Sequence, residues 1–123
     1  MSNEAEIKAL IATYIDAVRK NDLETLRSTF DPKANIAHYY VKGDAVKTIT
    51  VDEFMGTIRS LHEKFDNAEE KAYDVDIKMV GPLAAVRVPF GFVMGPKTLE
   101  GEDIFNVARV GGQWKIIHKS YWL

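Results

Sequence analysis

Three side chains have the chemistry to move a proton or to hold a negatively charged oxygen: Tyr14, His38 and Asp103. Each is spaced among apolar residues. Tyr14 falls in the stripe Ile7, Leu10, Ile11, Tyr14, Ile15 and Val18, which has the period of an amphipathic helix. His38 alternates in phase with Ala34, Ile36 and Tyr40, and Asp103 with Leu99, Phe105 and Val107. A fourth polar group, His118, is in phase with Trp114, Ile116 and Trp122. Buried charges without partners are costly, so such groups neutralise, pair or face a cavity. A carboxyl among Leu, Phe and Val is pushed toward its protonated, hydrogen-bond-donating form. A tyrosine hydroxyl beside it would complete a two-donor site for an oxyanion. An imidazole on a facing element could move a proton near neutral pH.

Each residue also has a plain structural reading. Tyr14 could be a core tyrosine with its hydroxyl at the surface, and Asp103 could hold an Arg or His in an ion pair. His118 reads as a satisfied core histidine, and His38 as a pocket wall. Other chemistry has little support. The histidines at 38, 62 and 118 lack metal-ligand spacing, so no metal is expected. No glycine-rich phosphate loop and no G-x-S-x-G elbow occurs, and no cofactor is implied. The neighbouring carboxylates Glu69 and Glu70 read as a solvated face.

The elements that position these groups follow from periodicity. The first helix is followed by a short second one with the stripe Leu23, Leu26 and Phe30, with Asn21 as its expected N-cap and Asp31-Pro32 as its stop. Thr50 and Glu53 form a T-x-x-E capping box, with Ile49 and Phe54 at staple spacing. The stripe Phe54, Ile58, Leu61, Phe65 carries this third helix to Asp66-Asn67. A short strand is expected over 34–41. From about residue 71 the period becomes two: Tyr73, Val75, Ile77 and Met79 alternate with polar residues. Strands over 83–94, 98–110 and 113–122 follow, separated by Gly95-Pro96 and Gly111-Gly112. Pro89 and Gly91 inside a strand predict a bulge or bend. The pattern is α+β: three helices packed on a curved, mostly antiparallel sheet, in one domain over residues 1–123. A strongly curved sheet covered by so few helices predicts a pocket.

Composition narrows the function classes. The chain has 123 residues, 16 Lys+Arg, 18 Asp+Glu and no Cys. Disulfides, thiolate metal sites and cysteine nucleophiles are excluded. A net charge of −2 argues against a nucleic-acid partner. No apolar run approaches the ~20 residues of a membrane span, and the polar start reads as neither signal nor transit peptide. A cytoplasmic domain without a membrane partner is expected.

The stretch from Tyr14-Ile15-Asp16-Ala17-Val18 through Asp22-Leu23 to Phe30-Asp31-Pro32-Lys33-Ala34-Asn35-Ile36 resembles the opening of ketosteroid isomerases and SnoaL-like polyketide cyclases. The end, Asp103 with Gly111-Gly112-Gln113-Trp114-Lys115-Ile116-Ile117 and Lys119, resembles the putative lumazine-binding subfamily. Both belong to the nuclear transport factor 2-like superfamily, which implies a cone-shaped α+β fold. The isomerase resemblance places a helix tyrosine at Tyr14 and a protonated strand aspartate at Asp103, with His38 where the isomerases carry an aspartate base. Two functions remain open. The first is binding of a flat or apolar metabolite in a cone lined by Tyr14, Phe54, Ile58, Phe90, Phe92, Phe105, His118 and Trp122. The second is cofactor-free proton transfer next to a carbonyl, by an isomerase, dehydratase or cyclase, with His38 as base and Tyr14 with Asp103 as oxyanion donors. The resemblance also implies a homodimer through the convex sheet face, where Val86, Ile104, Ile117 and Tyr121 could contribute.

Overall fold

The computed structural model describes residues 2–123. Helix α1 spans Asn3–Lys20, with the Ser2 hydroxyl accepting from the Ala5 N–H. Its stripe Ile7, Ile11, Tyr14 and Val18 is buried. Asn21 ends α1 in the left-handed region at φ 55°, and Asp22 caps helix α2, Leu23–Ser28. The cap expected at Asn21 is therefore one residue later: Asn tolerates positive φ and closes the first helix, while Asp22 accepts from Thr25. Strands β1 (Phe30–Tyr40) and β2 (Ala45–Thr50) precede helix α3 (Val51–Lys64), so the helices are not contiguous in sequence. The capping box at Thr50 and Glu53 is present as expected. His62 Nε2 on α3 lies 2.7 Å from the Val18 carbonyl oxygen on α1, joining the two long helices.

The remaining strands are β3 (Ala68–Ala72), β4 (Asp76–Val80), β5 (Leu83–Met94), β6 (Lys97–Val110) and β7 (Gln113–Trp122). The single strand expected around Tyr73–Met79 is thus two short ones, β3 and β4, both paired with β5. They share one edge of β5, and Pro89 sits between them: β4 pairing ends at Arg87 and β3 pairing begins at Phe90. A residue without an N–H costs nothing at that gap. Of the bulge or bend expected near Pro89 and Gly91, no bulge forms against β6, because β5 and β6 pair in unbroken register from Leu83↔Ala108 to Met94↔Lys97, while the sheet is curved as expected. The irregularity lies in β7, where Asn106↔His118 is followed by Val107↔Ile116. Ile117 is the extra residue.

The sheet order is β2-β1-β7-β6-β5-β3, antiparallel throughout except the parallel β1–β7 pair. It is curved and unclosed, and α1 packs against β3 and β7 while α3 packs against β1 and β2. Leu26, Ile36, Val86, Val88, Phe105, Val107 and Ile116 fill the space beneath the helices. Among the described residues no helix is long and apolar enough to cross a membrane.

Candidate functional site

Between the helices and the concave sheet face lies a cavity of about 210 Å³. Its apolar wall comes from Val18 on α1, Phe54, Ile58 and Leu61 on α3, and Phe90 and Phe92 on β5. Alternation along β5 and the three-and-four spacing along α3 turn these side chains inward. Polar groups interrupt the wall at Tyr14, His38, Tyr40, Lys47, Thr57, Glu70, Lys119 and Tyr121.

Tyr14, Glu70 and Lys119, with Asp103 behind them, form a buried cluster. Tyr14 is 1% exposed, Glu70 5%, Asp103 0% and Lys119 2%. Lys119 Nζ donates to the Tyr14 hydroxyl at 2.6 Å and stands 3.7 Å from Asp103 Oδ1. Its ammonium also lies 4.4 Å from the Phe54 ring centroid and 4.3 Å from that of Tyr121, at cation–π distance. Burial pushes the Glu70 carboxyl well above its usual range, and the adjacent Asp103 pushes it further. Burial also raises Asp103, opposed by Lys119 and by a hydrogen bond from Glu70. No donor serves either Asp103 oxygen or Glu70 Oε2 when both acids are ionised. A proton retained on Glu70 and directed at Asp103 pairs two of these three oxygens and leaves one carboxylate against one ammonium. Tyr14 is held in its neutral form by burial and by the two acids.

His38 occupies the opposite side. Its ring lies 3.8 Å from the Tyr40 ring centroid and stacks on Tyr121 at 4.2 Å. Burial, then Lys119 and Lys47, hold its pKa below the ordinary 6.5, so the ring is neutral at neutral pH. Nε2 is buried and has no hydrogen-bond partner.

The structure brings Tyr14 and His38 to the cavity wall and places Asp103 one layer behind it, on the concave face. Phe54, Ile58, Phe90 and Phe92 line the cavity, whereas Phe105 packs edge-on against Tyr14 from below, with ring centroids 5.2 Å apart. His118 and Trp122 are elsewhere. The Ile117 bulge reverses the inward–outward phase of β7, turning His118 to Asn35 on the convex side at 2.6 Å and Trp122 to Glu102 at 3.1 Å. The same reversal turns Lys119 and Tyr121 inward. Glu70, read from sequence as solvated, is buried, because β3 alternates Ala68 and Glu70 inward with Glu69 between them. Ala68–Ala72 carries no apolar period in the sequence that could have found it. Of the residues offered for the convex face, Val86 is fully buried on the concave side, Ile104 is 50% exposed, and Tyr121 borders both faces. Among the described residues no three His, Asp or Glu side chains gather as metal ligands would.

A curved sheet packed under three helices, with a polar cluster in its hollow, is the nuclear transport factor 2-like fold. The chain belongs to the family described as "Putative lumazine-binding", whose model matches residues 2–122. No curated protein matches the chain. Among solved structures it is similar to an NTF2-like protein of unknown function from Shewanella baltica, with 21% identity and a TM-score of 0.76 over 98% of this chain and 95% of that one. It is similar to a protein from Novosphingobium aromaticivorans described as a putative scytalone dehydratase: 19% identity, TM-score 0.80, 96% of this chain and 81% of that one. An NTF2-like protein from Silicibacter pomeroyi gives 21% identity and a TM-score of 0.77 over 98% of each chain. At these identities the likeness is one of fold.

Proposed function

We propose that the chain binds a small, flat, largely apolar molecule in the cone and fixes it through an electron-rich oxygen on Lys119. The observation that carries this reading is the buried ammonium in an otherwise apolar hollow. Lys119 has three N–H donors, only one of which reaches an acceptor at hydrogen-bond distance among the described residues. A carbonyl or enolate oxygen of a ligand would take another, while Phe54, Phe90 and Phe92 would cover the ring faces. The family description makes lumazine, a flat heterocycle with two carbonyl oxygens, the natural first probe. Lumazine at ~100 times its dissociation constant should add about 2.7 kcal/mol of stability. Absence of any thermal shift from lumazine and from a panel of flat ring carbonyls contradicts the reading.

A second reading, proton transfer next to a carbonyl, is favoured by His38. His38 lines the same cavity, and its neutral state suits a general base. Tyr14 and Lys119 would then hold the enolate oxygen, with Asp103 balancing the ammonium behind them. His38→Ala should abolish α-proton exchange of a bound ketone while leaving its binding intact. Self-pairing through the convex face is also proposed, on the exposed Tyr39, Val41, Val46, Ile104 and Trp122.

A further inference from the structure

Lys119 is the one lysine buried among the described residues, at 2% exposure, and it borders the cavity. Lys20 and Lys71, by contrast, are exposed and pair with Asp16 and Glu69. Around Lys119 Nζ the nearest carboxylate oxygen, Asp103 Oδ1, stands off at 3.7 Å, and the one close acceptor among the described residues is the Tyr14 hydroxyl. The rings of Phe54 and Tyr121 lie against the nitrogen, with centroids 4.4 and 4.3 Å away. A lysine amine in an apolar pocket attacks a carbonyl carbon once it has given up a proton. Asp103 is placed behind the nitrogen to take that proton, on the side away from the cavity.

Resting on the reading that the cone holds a ligand carbonyl against Lys119, we propose that Lys119 captures a flat aromatic aldehyde covalently, as a Schiff base. The ammonium passes one proton to Asp103. The freed lone pair on Nζ forms a bond to the aldehyde carbon, and the C=O π pair moves onto the oxygen. A second N–H proton passes to that oxygen, giving a carbinolamine. The C–O bond then breaks as the nitrogen lone pair closes the C=N bond, and the hydroxyl leaves as water with the proton that Asp103 had taken. In sum, ammonium and aldehyde become iminium and water, with the single positive charge still on the Lys119 nitrogen and the single negative charge still on Asp103. No oxidant, reductant or other reactant is consumed.

Several features of the site favour this chemistry. Moving the ammonium proton to Asp103 turns a buried ion pair into two neutral groups, a change that apolar surroundings ease. Burial raises the Asp103 carboxyl, which suits it to accept the proton. The iminium keeps its charge where the ammonium had it, so Asp103 and the faces of Phe54 and Tyr121 stabilise the product as they do the free lysine. Low exposure of Lys119 keeps bulk water from the C=N bond, which water would cleave. The two flanking rings crowd the carbon that bonds to nitrogen, so an aldehyde, with hydrogen as its second substituent, suits the site better than a ketone. Phe90 and Phe92 extend the wall against which the aldehyde's ring would lie.

The probe is 2-naphthaldehyde, a flat two-ring aldehyde, added at equimolar concentration with sodium cyanoborohydride to reduce the C=N bond to a stable amine. Intact mass counts the naphthylmethyl groups and peptide mass mapping locates them. Binding is read separately by thermal shift with methyl 2-naphthoate, whose ester carbonyl can accept from Lys119 but forms no imine. The ester should stabilise the wild type, and the aldehyde should label Lys119 about 10-fold or more faster than the exposed Lys78 and Lys97. Asp103→Asn should still bind the ester but label at Lys119 about 10-fold or more slowly than the wild type. Where that variant fails to fold, the wild-type peptide map decides alone. A shift from the ester with the label spread over exposed lysines overturns the Schiff base and leaves the cone as a binding site. No shift from the ester and no preference for Lys119 overturns the cone reading beneath it. Labelling of Lys119 at the same rate in Asp103→Asn overturns Asp103 as the proton acceptor.

Discussion

Lys119 is the residue on which the cluster turns. It is the cation that Asp103 faces, and it sits against aromatic rings rather than water. Lys119→Met would leave Asp103 buried opposite no charge, a change that costs about 3–5 kcal/mol in such settings. Urea unfolding should show that loss, and adding Asp103→Asn should recover part of it, because the pair is then removed together. A loss below about 1 kcal/mol for the single variant would mean that the pair is solvated. Tyr14→Phe deletes the hydroxyl that accepts from Nζ. Its cost should be about 0.5–1.5 kcal/mol, with more exposure of the ammonium to the cavity.

At the scale of elements, β7 decides which groups meet. One extra residue at Ile117 exchanges the faces of everything after it, so Lys119 points into the cone and His118 out of it. That phase change could not be read from the sequence, since strict alternation of Trp114, Ile116, His118 and Trp122 is the simpler pattern. Where alternation is uninterrupted, as at Asp103, Phe105 and Val107, the facing was legible. The capping box at Thr50 and Glu53 was legible too, because its signature is local. Strands β2 and β3 were not: Ala45–Thr50 is nearly all exposed and Ala68–Ala72 carries two acids and a lysine, so neither shows an apolar period. The end of β7 also depends on Gly101. A Cβ there would collide with the Trp122 carbonyl oxygen and come within 2.8 Å of the Phe90 ring. Gly101→Ala should destabilise the protein by about 1–3 kcal/mol and weaken lumazine binding by displacing Phe90. Thermal unfolding and titration check the two effects separately.

For the molecule as a whole, the buried acids set a pH dependence. Glu70 and Asp103 hold protons in the folded state at pH values where the unfolded chain has lost them. Stability from this source is fully present below the unfolded carboxylate value, about 4, and is lost as pH rises through the folded values. Lys119 and the neutral Tyr14 and Tyr121 are the other ionisable groups facing the pair among the described residues, and Lys119 moderates the effect. The urea midpoint should therefore fall with rising pH in the wild type, and the fall should flatten in Glu70→Gln. An equal slope in both proteins removes Glu70 as its cause.

The convex face carries a second whole-molecule expectation. Tyr39, Val41, Val46, Ile104 and Trp122 border a groove beside the Arg87–Glu102 ion pair. Sedimentation at micromolar concentration should show a dimer, and Ile104→Lys should shift it to monomer without touching the cone. A wild-type monomer under those conditions contradicts self-pairing.

The most direct test is a crystal structure of the protein soaked with lumazine. The heterocycle should lie inside the cone, between Phe54 and the β5 phenylalanines, with a carbonyl oxygen within hydrogen-bond distance of Lys119 Nζ. Lumazine bound only in the convex groove, or a cone that stays empty at saturating lumazine, would contradict it.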